Sequence, residues 1–199
     1  MKSTDYLNHF KKADPVIYEL SLKIDVKTFE HPKDYFASLT RKIAGQQLSV
    51  KAAQTIFNRF QALFVEGKVT PKGLLRIKDE DIRGAGLSWP KVRYLKAMTQ
   101  DILDEKVVLE GLDNLEDEQI IELLTKLKGF GRWSAEMFLM FDLGRPDVFS
   151  VGDLGLKRAI ERNYKLKYPS PEKMIKLSQK WSPYRTYACR ILWGSLELK

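Results

Sequence analysis

The chain has 199 residues, 44% hydrophobic and 30% charged, with a formal net charge of +8, enough apolar material for one ordinary domain or two small lobes and too much for wholesale disorder. Cys189 is the only cysteine and His9 and His31 the only histidines, which excludes an intrachain disulfide framework and a four-cysteine iron–sulfur cluster and argues against a Cys/His zinc site. No signal peptide or run of about 18 apolar residues occurs, so the expectation is a soluble intracellular chain without a membrane partner, whose basic balance is compatible with a polyanion.

In chain order, apolar positions at Tyr6 and Phe10 precede Asp14 and Pro15, a pair that predicts a helix over 15–23. Pro32 is expected to open a stronger helix, with Tyr35, Phe36, Leu39, Ile43 and Ala44 at helical spacing. It ends in Gly45, Gln46, Gln47, Leu48 and Ser49, and Ser49 is placed to N-cap a helix carrying Ile56, Phe57, Phe60 and Phe64. Thr70 and Pro71 start a short helix, Asp79 is expected to cap a single turn, and Ser88 a long helix with Val92, Leu95, Met98 and Ile102. Residues 106–114 are the loosest part of the middle region.

A helix over 116–127 follows, then a sharp Gly129, Phe130, Gly131 turn, and a restart at Arg132 and Trp133. The run GAGLSWPKVRYL echoes GFGRWSAEMFLM, which reads as two hairpin-like turns rather than a true repeat. After a break at Gly144, Arg145 and Pro146 the chain delivers Asp153 to the start of a helix lined by Leu154, Leu156 and Ile160. Ser170 with Pro171, and Ser182 with Pro183, are expected to start the last two helices. Strand-like alternation is nearly absent, so the predicted fold class is all-α.

The glycine turn leaves several amides at the head of the second helix without intrahelical partners, and the helix dipole adds positive potential there. Such a place holds an anion well, phosphate above all. By its own neighbours Asp153 reads as an N-cap, a position that Asp favours.

Leu127-x-Gly129-Phe130-Gly131-x-Trp133-Ser134-Ala135, followed by Asp153, resembles the helix–hairpin–helix DNA glycosylases. Trp133, VGDLGLKRAI and WSPYRTYACRILW make the 3-methyladenine DNA glycosylase II branch the most similar. The resemblance runs from about residue 35 to 193. It implies one glycosylase unit over 1–199 made of two helical lobes with the active cleft between them. One lobe would be 35–145, ending in the hairpin; the other would join 1–34 to 146–199 and carry Asp153. Some longer members carry an extra N-terminal β domain, for which the resemblance leaves no room here.

The implied activity is monofunctional hydrolysis of the N-glycosidic bond of alkylated purines in double-stranded DNA, 3-methyladenine first and 7-methylguanine next. It proceeds by base flipping and leaves an abasic site for base excision repair. The resemblance makes Asp153 the candidate for catalysis, since it implies a carboxylate that stabilises positive charge developing on a sugar and orients an attacking water. That role and the N-cap are compatible. Strand-cutting relatives carry a nucleophilic lysine where this chain has Trp133, which cannot attack. The resemblance puts Trp133, Met137, Tyr184, Arg185 and Trp193 in or beside the base pocket; Met137 departs from the tyrosine of related enzymes. Gln46, Gln47, Leu48 and Ser49 match the loop that fills the hole left by the flipped nucleotide, with Gln47 or Leu48 as the wedge.

Lys128, Gly129, Phe130, Gly131 and Arg132 would grip the DNA backbone. Main-chain carbonyls of Thr125, Leu127 and Phe130 would hold a structural Na+ or K+; no organic cofactor and no iron–sulfur cluster are expected. The protein would act as a monomer, cytoplasmic in a bacterium or nuclear in a eukaryote. Three rivals predict different behaviour. A non-catalytic helix–hairpin–helix module would bind DNA without releasing base. A glycosylase for deaminated or etheno purines would keep Asp153 but hydrogen-bond a neutral base. A protein–protein adaptor would bind independently of salt.

Overall fold

Short polar side chains that accept amide hydrogens open many of the helices in this chain. The computed structural model describes residues 4–26, 32 and 34–198. His31, part of the histidine inventory, lies outside them. The described residues form α1 (Thr4–Ala13), α2 (Pro15–Ser21), α3 (Tyr35–Gly45), α4 (Val50–Gln61), α5 (Pro71–Arg76) and α6 (Asp79–Gly84). They continue with α7 (Trp89–Leu103), α8 (Asp117–Thr125), α9 (Arg132–Phe141), α10 (Leu154–Tyr164), α11 (Pro171–Ser178) and α12 (Arg185–Ser195). No strand occurs among the described residues, and no helix is long and apolar enough to cross a membrane. The fold is all-α.

Asp14, Ser49, Thr70 and Ser170 each accept an amide from the first turn of α2, α4, α5 and α11. Other expected starts move. The helix expected at Pro32 begins at Tyr35, because Asp34 accepts the Ala37 amide at 2.9 Å. Asp79 is the first residue of α6 rather than its cap, a position where a carboxylate still favours the helix dipole. Ser88 precedes α7 without a side-chain cap bond. The last helix begins at Arg185, not at Pro183, because its first amide is accepted by Asp147, 38 residues earlier.

The chain divides into two units, Pro32–Phe138 and the combination of Met1–His31 with Leu139–Lys199. In the first, α3 packs on α4 and α7, and α7 on α5 and α6. Leu39, Ile43, Phe60, Leu74, Ile82, Leu95, Met98, Leu124 and Phe138 are fully buried there. Burial of each such side chain contributes about 1.5–3 kcal/mol.

In the second, α2 and α10 pack on α12, and a 3-10 turn, Gln179–Trp181, meets α1, α11 and α12. Asp14 is its polar hub. One carboxylate oxygen caps α2, and the other accepts the Tyr164 hydroxyl at 2.7 Å and the Trp181 indole at 2.9 Å. A buried charge survives only with such partners. Burial, reinforced by that carboxylate, pushes the Tyr164 hydroxyl well above the ordinary phenol range.

Candidate active site

The hairpin turn between α8 and α9 is built on one obligatory glycine. Gly129 has φ +83°, and a Cβ there would stand 2.4 Å from the Tyr94 ring of α7. The turn closes with the Phe130 amide on the Leu127 carbonyl at 3.0 Å, while the Gly131 carbonyl accepts the Ala135 amide at 3.1 Å. Gly131 differs from its neighbour. A Cβ there would meet nothing within 4 Å, and its φ is not left-handed. Only Gly129 is required by the turn itself; the bareness of Gly131 leaves its backbone open to a group from outside.

Lys128 is exposed beside this turn. Arg132 is engaged by two carboxylates, Glu118 at 2.6 Å and Glu136 at 3.0 Å. Its hydrogen bonds hold the Glu118 carboxyl below the usual carboxylate range. Trp133 follows in the first turn of α9 with 48% of its surface exposed, which removes simple core packing as its role. Met137, one turn on, is buried.

The segment 46–49 belongs to the same unit and is tied to the hairpin. Gln46 donates from Nε2 to the Gly129 carbonyl at 2.8 Å. Lys91 of α7 donates to the carbonyls of Ala44 and Gln46 at 2.8 and 2.7 Å. Gln47 takes a left-handed φ of +59°. Leu48 is exposed, and Ser49 caps α4.

Asp153 lies in the other unit, 9% exposed, as the N-cap of α10. Its Oδ1 accepts the Leu156 amide at 2.7 Å and the Trp193 Nε1–H at 2.9 Å. The carboxylate is therefore fixed from its own helix and from α12. Trp193 is half-buried and tilts against Phe141, ring centres 5.9 Å apart. Gly155 makes this fit: a Cβ there would stand 3.0 Å from Asp153 Oδ1 and 3.1 Å from the Trp193 indole.

The strand of chain that delivers Asp153 is pinned to the start of α12. Arg185 donates from Nε and an Nη to the two oxygens of Asp147, at 2.8 and 2.9 Å, and Ser182 donates to one of them at 2.8 Å. Burial raises the Asp147 carboxyl, but the Arg185 and Ser182 hydrogen bonds outweigh it and hold it below the usual range. Thr186 donates to the Arg145 carbonyl and accepts the Val148 amide. Arg185 thus supports the loop leading to Asp153. Tyr184 packs edge-on among the rings of His9, Phe10 and Tyr187. Trp181 is core.

The sequence pattern defining the HhH-GPD superfamily of base excision DNA repair proteins matches residues 40–183. The chain belongs to that superfamily. Among its relatives, the DNA-3-methyladenine glycosylase 1 of Schizosaccharomyces pombe is 35% identical over 169 residues, 83% of this chain and 74% of that one. The crystal structure of a DNA-3-methyladenine glycosidase from Bacillus halodurans matches with a TM-score of 0.86 at 34% identity, covering 99% of this chain and 92% of that one. The Schizosaccharomyces pombe 3-methyladenine DNA glycosylase in complex with abasic DNA matches with a TM-score of 0.88 at 31% identity, covering 98% of each chain. Within this HhH-GPD chain, Gly155, Lys91 and Tyr94 hold candidate site residues in place without having been singled out from the sequence, and Asp147, read there only as a loop or cap residue, holds Arg185. A glycine two residues beyond a candidate catalytic acid was the one local signal for Gly155. The other three act across long stretches of chain and left no pattern.

Proposed function

We propose that this HhH-GPD protein is a monofunctional DNA glycosylase that excises alkylated purines, 3-methyladenine first and 7-methylguanine next, from double-stranded DNA. The observation that carries the reading is the buried Asp153 carboxylate, held at Oδ1 by an amide and an indole, in a chain whose relatives are named for 3-methyladenine excision.

Excision breaks the bond between C1′ and the purine nitrogen. The electron pair goes to the alkylated base, which is cationic in the nucleotide and leaves neutral, so no general acid is needed. Positive charge develops on the sugar, and the Asp153 carboxylate stabilises it. Water adds to C1′ and gives up a proton, leaving an abasic site; Asp153 orients that water. Trp133 offers an indole face to a cationic ring and, having no amine, forms no Schiff base. The amides of Gly129 and Gly131 hold backbone phosphate, and Gln47 or Leu48 fills the space of the flipped nucleotide.

A monovalent cation at the hairpin is part of the same reading. Among the described residues no cluster of His, Cys, Asp and Glu could hold a metal. The donors near the turn are the neutral carbonyls of Thr125, Leu127 and Phe130, an oxygen set that suits a hard ion of low charge. Such an ion would stiffen the turn; no step of hydrolysis runs through it.

The test is release of free base from methylated duplex DNA by wild type and Asp153→Asn, with chromatography identifying the purine. Release of 3-methyladenine that disappears in the mutant while duplex binding persists supports the assignment. Absence of any methylated purine among the products of the wild type overturns it, and deaminated and etheno substrates become the next comparison.

A further inference from the structure

The end of α3 leaves carbonyls that no helical amide reaches, and the helix dipole concentrates partial negative charge there. Lys91 answers both: its Nζ donates to the carbonyls of Ala44 and Gln46 at 2.8 and 2.7 Å. A cation in the first turn of a helix works against that helix's own dipole, so Lys91 serves α3 rather than α7. Burial lowers its pKa from the ordinary lysine value, in keeping with an amine withdrawn from water onto carbonyls. The Gln46 side chain reaches the other way, to the Gly129 carbonyl at 2.8 Å. Tyr94, on the same face of α7 as Lys91, lies against Gly129.

Between these ties stand the residues that leave the surface. Gln47 holds a left-handed φ of +59°, a conformation that non-glycine residues keep only where the surroundings impose it. Leu48 and Val50 are 39% and 89% exposed.

We propose that Lys91 and Gln46 are positioning residues that lock the Gln47 and Leu48 tip in register with the hairpin. Strand grip and base displacement are then delivered by one rigid surface rather than by a loop that must order on DNA. The assignment rests on the glycosylase reading above. Both side chains are spent on main-chain carbonyls, the Gln46 amide on that of the hairpin.

The experiment compares wild type, Lys91→Met and Lys91→Arg in two measurements. One is amide hydrogen exchange over residues 46–50 in the free protein. The other is single-turnover base release from methylated duplex set against affinity for undamaged duplex. Lys91→Met should speed exchange and slow release, each about tenfold, the scale of one charged hydrogen bond, with affinity within about twofold. Lys91→Arg, which keeps charge and donors, should restore both. Unchanged exchange in Lys91→Met overturns the proposal whatever the activity. So does affinity that falls in step with release, which would make Lys91 a phosphate contact. A wild type that releases no base defeats the glycosylase reading alone, and exchange then still decides whether Lys91 holds the tip.

Discussion

Trp193 Nε1 donates to Asp153 Oδ1 at 2.9 Å, onto the same oxygen that accepts the Leu156 amide at 2.7 Å. Two donors of different origin therefore fix the carboxylate. Trp193→Phe keeps an aromatic ring against Phe141 and removes one donor. A hydrogen bond to a charged group is worth about 1.5–3 kcal/mol, so single-turnover excision should fall by about ten- to a hundredfold. Affinity for an abasic duplex should change little. An unaltered excision rate would show that the indole N–H has no part in positioning Asp153.

Gly155→Ala places a methyl group 3.0 Å from Asp153 Oδ1 and 3.1 Å from the Trp193 indole. Alanine is favoured over glycine within a helix by about 1 kcal/mol, which offsets much of that crowding in the stability of α10. Thermal melting should shift by only a few degrees while excision drops about tenfold or more, because displacement of the acid by tenths of an ångström is felt at the reacting centre. Melting and single-turnover rates on the same preparation separate the two effects.

The two hairpin glycines should respond differently. Gly129→Ala imposes a left-handed alanine and drives its methyl into Tyr94, so stability should fall by about 1–3 kcal/mol. Gly131→Ala meets no protein atom within 4 Å, so melting should be unchanged while affinity for abasic duplex falls. Denaturant unfolding and fluorescence anisotropy read the contrast. Equal destabilisation by the two substitutions would refute this division of roles.

Salt dependence separates the two cations beside the turn. Lys128 is exposed, whereas Arg132 is paired with Glu118 and Glu136. Lys128→Gln should reduce the slope of log K against log salt by about 1, the value for one lost phosphate contact. Arg132→Gln should leave that slope nearly unchanged and lower stability instead. Duplex titrations at several salt concentrations decide between them.

Acid should loosen the loop that carries Asp153. Arg185 and Ser182 hold the folded Asp147 carboxyl below its unfolded value. The stability this confers is fully present above the unfolded pKa of about 4 and is lost as pH falls through the folded value. Asp147→Asn should therefore lower the melting temperature near neutrality and flatten its decline below about pH 4. A parallel acid limb in wild type and mutant would mean that this pair does not govern it.

Much of this protein was legible from neighbouring residues. Asp14, Ser49, Thr70 and Ser170 announced their helices because a cap reaches amides only two or three residues ahead. The hairpin glycines and the acid at the start of α10 were equally local. So was the all-α class, written in apolar spacing along each helix.

Tertiary structure decided what depends on partners far along the chain. The start of α12 moved to Arg185 because Asp147 supplies its cap from 38 residues away. Trp193 meets Asp153 across 40 residues, and Lys91 meets Gln46 across 45. A hydrogen bond of that span needs two helices packed in one register, and no periodicity records which side chains that packing brings together. Sequence by itself determined the helices, the turn and the acid; the fold determined what holds each of them in place.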